Sequence, residues 1–190
     1  DAERVEIRSD FIGTSRSLIV YFGFVYPAKG VELLFEIADP EKHQLVLICD
    51  LNPIDPYHGL ILDRTRNEPW AKKVTITGFL STEEVSRLLA AADAVVFPFR
   101  DGGGSWNTSL HGAVAQGTFV LTTSRENHGY DTENNVYYAR PGDIMDMRQA
   151  LQLYSGRRSV QKAMTQTAAW DAIADSHVLL YRKLLAHMST

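Results

Sequence analysis

The sequence predicts an α/β fold: a parallel sheet of about six strands with helices on both faces. Two observations carry that expectation. Short, unbroken runs of β-branched and aromatic residues recur along the chain, as in strands buried on both faces. Between them come loops punctuated by Gly or Pro and segments with a helical period. Strand, loop, helix, strand at this cadence requires right-handed crossovers and a parallel sheet.

The elements follow in order. Residues 1–17 are polar without a sustained period and read as an irregular lead-in or linker, which leaves 18–190 as the folded domain. Leu18-Ile19-Val20-Tyr21-Phe22 is the first buried strand and stops at Gly23. After a loop over 23–30, residues 31–38 return to a helical period. A second strand spans 44–49, a Pro-rich loop holds Pro53 and Pro56, and a helix covers 59–68. The third strand, 74–77, ends at Gly78. Ser81-Thr82-Glu83-Glu84 has the form of a capping box, opening a helix to about Ala92. A fourth strand over 94–97 is closed by Pro98, and a Gly-rich loop enters a helix over roughly 106–116. Gly117 stops that helix; 119–122 and 135–138 complete the strands, and helices dominate after Asp143.

Bulk composition narrows the function. A chain of 190 residues, 45% hydrophobic and 22% charged, builds one good core and would be tight for two domains. The net charge of −4 argues against a nucleic-acid binder, which normally shows a basic face. It leaves room for an anionic small ligand met by a lysine and backbone N–H groups. Cys49 is the lone cysteine, so no internal disulfide forms, and a reducing, cytoplasmic setting is expected. No apolar run approaches the ~18 residues of a membrane span, and nothing at the start reads as a signal peptide. The opening at Asp1, without methionine, fits a processed protein or a piece of a longer one.

In an open parallel sheet of Rossmann-like type, ligands bind outside the carboxyl ends of the strands. Three loops there are candidates. The first, 23–30, sets Lys29 near a helix start, either a place for an anion or a tight turn with an exposed lysine, and neither a Walker A loop nor the Gly-x-Gly-x-x-Gly fingerprint is present. The second holds Gly78, where backbone can approach a ligand, and Phe79, either a wall for a base or a hydrophobic staple. The third is Pro98-Phe99-Arg100-Asp101-Gly102-Gly103-Gly104-Ser105-Trp106-Asn107-Thr108-Ser109-Leu110, a ligand loop or else a flexible surface loop with an Asn or Ser cap. Three glycines in a row are costly to order, and a ligand pressed against backbone is one reason to keep them. The six histidines are scattered with no cysteine partner, so no metal site is expected. Ser109-Leu110-His111-Gly112 lacks the frame of a nucleophile elbow.

Taken together, Gly-x5-Lys-Gly, then Thr-Gly-Phe-Leu-Ser, then Ala-Ala-Asp-Ala-Val-Val-Phe-Pro-Phe and a Gly-rich loop resemble the GT-B glycosyltransferases of family 4 over about residues 18–125. A second patch, Trp170, Ile173, His177, Tyr181 and Leu184, looks like that family's closing helix. The resemblance implies one domain of a two-domain pair, the half that binds a nucleotide-sugar donor. It implies transfer of a hexosyl or similar group with retention, and no essential metal or cofactor. It also implies an acceptor domain on the N-terminal side, through which peripheral membrane association would run, and little transfer by this chain alone.

By position, the family's phosphate lysine falls on Lys29. Its partner arginine falls on Phe24, and its two glutamates fall on Gly104 and Gly112. In a divergent branch Asp101 would supply the missing catalytic acid. Gly23, Lys29, Gly78, Phe79, the three glycines Gly102, Gly103 and Gly104, and Ser105, Asn107, Thr108 and Ser109 would then hold the donor. Two alternatives stand beside this. One is a non-catalytic nucleotide- or sugar-binding module; the other is an unrelated α/β enzyme using a phosphorylated metabolite.

Overall fold

The computed structural model describes residues 2–11, 16–104, 107–159, 174–183 and 185. By their contacts the residues divide into two units, Asp1–Val160 and Gln161–Thr190. Among the described residues of the first unit are seven strands. They are β1 (Ser17–Phe22), β2 (His43–Ile48), β3 (Val74–Ile76), β4 (Ala94–Phe97), β5 (Val120–Thr123), β6 (Gly129–Asp131) and β7 (Val136–Ala139). They form one sheet in the order β3-β2-β1-β4-β5-β7-β6. All neighbours are parallel except β6, which pairs antiparallel with β7 and closes that edge.

The apolar runs explain the centre of the sheet. β1 pairs with β2 from Ser17 opposite His43 to Phe22 opposite Ile48, and its four inner residues are buried. Every residue of β4 and β5 is buried. Strands with both faces covered need an unbroken apolar run, not alternation. Tyr21, Phe97 and Phe99 continue the core to the carboxyl edge, with the Phe97 and Phe99 rings stacked at 5.7 Å. The covering helices are α1 (Ala2–Phe11), α2 (Leu34–Ile37), α3 (Pro56–Arg66), α4 (Thr82–Ala91), α5 (Thr108–Val114) and α6 (Ile144–Tyr154). α4 packs with α1 and α5, while α2 packs with α6, so both faces are clothed.

The six expected strands are all present; β6 is additional. The capping box forms as the spacing predicts: Ser81 N–H donates to the Glu84 carboxylate at 2.8 Å, and Glu84 N–H donates to Ser81 Oγ at 3.3 Å. Three expectations are corrected. Residues 2–11 are a helix, not an irregular lead-in, and belong to the same contact unit as the sheet. Ile7 and Phe11 pack on the core, and Arg4 and Arg8 reach Asp93 at 2.7 and 2.6 Å. The helix expected from Val31 is a 3-10 turn over Val31–Leu33 followed by the single turn α2, halted before Pro40. The helix expected at 59 begins at Pro56, because Asp55 caps it from two backbone N–H groups and proline suits its first turn.

Residues 174–183 of the second unit are helical, with the His177 and Tyr181 rings 6.3 Å apart. Trp170, Ile173 and Leu184, the rest of the expected closing stripe, lie outside the described residues. Among the described residues no helix is long and apolar enough to cross a membrane.

Candidate functional site

Strand order reverses between β1 and β4, and in open α/β sheets the crevice at such a point is where ligands bind. A cleft of about 640 Å³ opens along the carboxyl ends of β3, β2, β1 and β4. Its wall is built from four loops.

The loop after β1 supplies Gly23, Phe24, Tyr26 and Lys29. Gly23 has a φ of +138°, and a Cβ there would stand 3.1 Å from Ser109 Oγ, so this loop and α5 abut. The Tyr21 hydroxyl donates to Phe24 O at 2.6 Å, and burial pushes that hydroxyl's pKa up. The Phe24 ring is left 75% exposed at the rim. The Lys29 ammonium lies 4.6 Å from the Phe99 ring centre and 5.2 Å from that of Tyr26. No carboxylate among the described residues pairs with it.

A seam fixes this loop to the one after β4. Gly30 has a φ of +63°, and a Cβ there would collide with Pro98 O, so backbone passes directly over backbone. Arg100 N–H donates to Ala28 O at 3.0 Å. The Arg100 guanidinium also pairs with Glu32, a buried carboxylate that accepts from the Tyr57 hydroxyl as well. Burial, then that carboxylate, raises the Tyr57 pKa. The loop after β2 is tied in through His58. Asn52 N–H donates to His58 Nδ1 at 2.8 Å, so Nε2 carries the proton and donates to Val25 O at 2.8 Å.

The expected site residues divide. Gly23, Lys29, Gly78, Phe79, Asn107, Thr108 and Ser109 all line the cleft. Phe79 is 80% exposed, which rules out the staple reading; Leu80 packs on the core in its place. Gly102, Gly103 and Gly104 do not line it. A Cβ on Gly103 would lie 2.8 Å from the Phe99 ring, and Gly103 N–H donates to Thr123 O at 2.7 Å. Gly104 N–H donates to Asn107 Oδ1 at 2.8 Å. A Cβ on Gly102 would likewise stand 3.3 Å from Arg125 N, so packing against protein accounts for Gly102 and Gly103, two of the three glycines. Asp101 does not line the cleft either: it sits on the exposed surface, paired with Arg125 at 2.9 Å. Ser105 lies outside the described residues.

The lining groups that escaped sequence reasoning include the rings of Tyr26 and Phe99 and one charged group. Asp50, just beyond the end of β2, is the cleft's carboxylate, beside buried Cys49. Burial, then the Asp50 charge, pushes the Cys49 thiol up to about 12. The missed signal was an acid directly after a buried strand. Among the described residues no group of three His, Cys, Asp or Glu side chains could hold a metal ion.

Residues 16–154 match the family described as glycosyl transferases group 1. Sucrose-phosphate synthase from Thermosynechococcus elongatus is similar in structure, with a TM-score of 0.73 at 20% identity, over 96% of this chain and 49% of that one. HepE from Anabaena, in complex with UDP-glucose, gives 0.66 at 17%, over 80% of this chain and 42% of that one. The C-terminal domain of a group 1 family glycosyl transferase from Francisella tularensis gives 0.62 at 19%, over 80% of each chain. This chain thus spans about half the length of the first two proteins. No curated protein matches it.

Proposed function

This chain belongs to the glycosyl transferases group 1, and on that premise we propose that it is the donor-binding half of an enzyme that moves a hexosyl or similar group from a nucleotide sugar to an acceptor with retention. The observation that carries the proposal is the Lys29 ammonium, unpaired by any carboxylate among the described residues and standing in the cleft over two aromatic rings. A sugar leaves its donor by transferring charge onto a nucleoside diphosphate, and a fixed cation aimed at that charge is the usual means of stabilising it. The aromatic walls exclude water and so strengthen the interaction.

The proposal extends to a site working without a metal or cofactor, its phosphate charge met by Lys29 and backbone N–H groups. It includes an acceptor domain outside this chain, consistent with half-length coverage of the solved relatives. It also includes a cytoplasmic location, supported by the lone buried cysteine.

Titration calorimetry with UDP, ADP and GDP and their glucose conjugates tests the reading. Lys29→Ala is expected to weaken the best of these about 10- to 100-fold, the loss of a charge-assisted hydrogen bond. Equal affinity in the variant would sink the assignment. The isolated chain is expected to transfer no sugar in a turnover assay with the same donors.

A binding module without catalysis is the second reading. One observation favours it: the rim carries Phe24, and the acid expected of Asp101 is spent on Arg125 at the surface. A full-length protein that binds donor with Lys29 but transfers nothing would select it.

A further inference from the structure

The cleft's chemistry changes in a fixed sequence along the sheet. Beyond β3 stands an exposed aromatic ring, Phe79; beyond β2 a carboxylate, Asp50; beyond β1 an ammonium, Lys29; beyond β4 the amide of Asn107 and the hydroxyls of Thr108 and Ser109. These strands are neighbours in that order, each about 4.8 Å from the next. A nucleotide sugar has four segments joined in one line: a flat base, a ribose, a diphosphate and a sugar. The two series correspond term by term. An aromatic face suits a base, an ammonium suits phosphates, and amides with hydroxyls suit a sugar.

The carboxylate discriminates most sharply, because it can only accept hydrogen bonds and repels phosphate. It must face the hydroxyl-bearing segment between base and diphosphate. Asp50 makes no ion pair among the described residues, so its oxygens are not already committed to a cation. Its loop is held at the β1 side by the Asn52–His58–Val25 chain of hydrogen bonds, which keeps it beside the Lys29 loop.

We propose that Asp50 is a specificity-determining residue that accepts hydrogen bonds from the 2′- and 3′-hydroxyls of the nucleotide's ribose. The proposal rests on the donor-binding reading above and adds a criterion to it: the site distinguishes ribonucleotides from their deoxy counterparts.

The test compares each of UDP, ADP and GDP with its 2′-deoxy analogue by titration calorimetry, in the wild-type protein and in Asp50→Asn and Asp50→Ser. The wild type is expected to favour the ribonucleotide about tenfold, the size of one hydrogen bond to a charged group. Both variants are expected to bring that ratio below about twofold. Absolute affinity is the wrong readout, because removing a negative charge near the diphosphate relieves repulsion for both ligands and offsets the hydrogen bond lost by the ribonucleotide. A ratio unchanged in the variants overturns the proposal while leaving the donor reading intact. So does a variant that alters the preference among bases without altering the ribose ratio, which would place Asp50 against the base. If none of the three diphosphates binds the wild type, the donor reading fails first and this inference with it. Two variants of different size and unchanged melting temperature guard against a folding artefact at an exposed position.

Discussion

At the scale of single residues, the fold is most sensitive where a group has been deprived of water. Burial holds the His43 imidazole below its ordinary value of 6.5, and its Nδ1 accepts from Asp39 N–H at 2.8 Å, a bond that protonation removes. A folded-state value below the unfolded one means that the unfolded chain binds the proton more readily. Stability from this group is therefore complete above about 6.5, is lost as pH falls from there, and stops changing once the folded imidazole also protonates. Urea midpoints measured from pH 7.5 down to 5 are expected to fall in the wild type. In His43→Gln the curve over that window should be flatter; an unchanged slope would assign it to another group. Individual residues were also where sequence reasoning was least complete. Lys29 was reached only through the family resemblance, because the local spacing alone fits a tight turn with an exposed lysine equally well. Asp50 was not reached at all, because its meaning comes from standing between Phe79 and Lys29 across three strands that are far apart in sequence. The triple glycine was legible as a constraint, but its cause was not: the Phe99 ring that fills the space beside Gly103 reaches it only through the fold.

Elements with a local cause were read well. The strands β1, β2, β4, β5 and β7 announce themselves as apolar runs, and α4 by its capping box. Elements set by distant partners were not. Of the large apolar residues of α1 only Ile7 and Phe11 pack on the core, Val5 being exposed, and its arginines find their partner Asp93 more than 80 residues away. β6 is three residues long with a glycine at its head, too short to show a period, and is held by pairing with β7. α3 offers a test of local cause. Gly59 lies inside this helix, with no strained φ, and a Cβ there would meet nothing within 4 Å. Gly59→Ala is expected to stabilise the protein by about 0.5–1 kcal/mol through helix propensity and unfolded-state entropy, read as a higher urea midpoint at unchanged slope. A loss of stability would mean that this position is constrained by something other than helix formation.

For the whole molecule, the amino-terminal helix and the sheet meet at one nearly buried carboxylate. Asp93 accepts from Arg4, from Arg8 and from the backbone N–H of Leu18 at 2.7 Å, so it joins α1, the start of β1 and the approach to β4. Removing one partner of a buried ion pair leaves the others uncompensated. Asp93→Ala is expected to cost about 3 kcal/mol in urea unfolding and to raise amide exchange across residues 2–11. Exchange left unchanged there would show that Ile7 and Phe11 hold the helix without the ion pairs.

At the far edge of the same sheet, the seam between the Lys29 loop and the loop after β4 has a different effect. Backbone crossing at Gly30, the Arg100–Ala28 hydrogen bond and the Arg100–Glu32 pair leave those two segments no freedom to part. They form a rigid jaw with a set gauge. Under the donor reading, a diphosphate would have to conform to the jaw, because the jaw would not adjust to it.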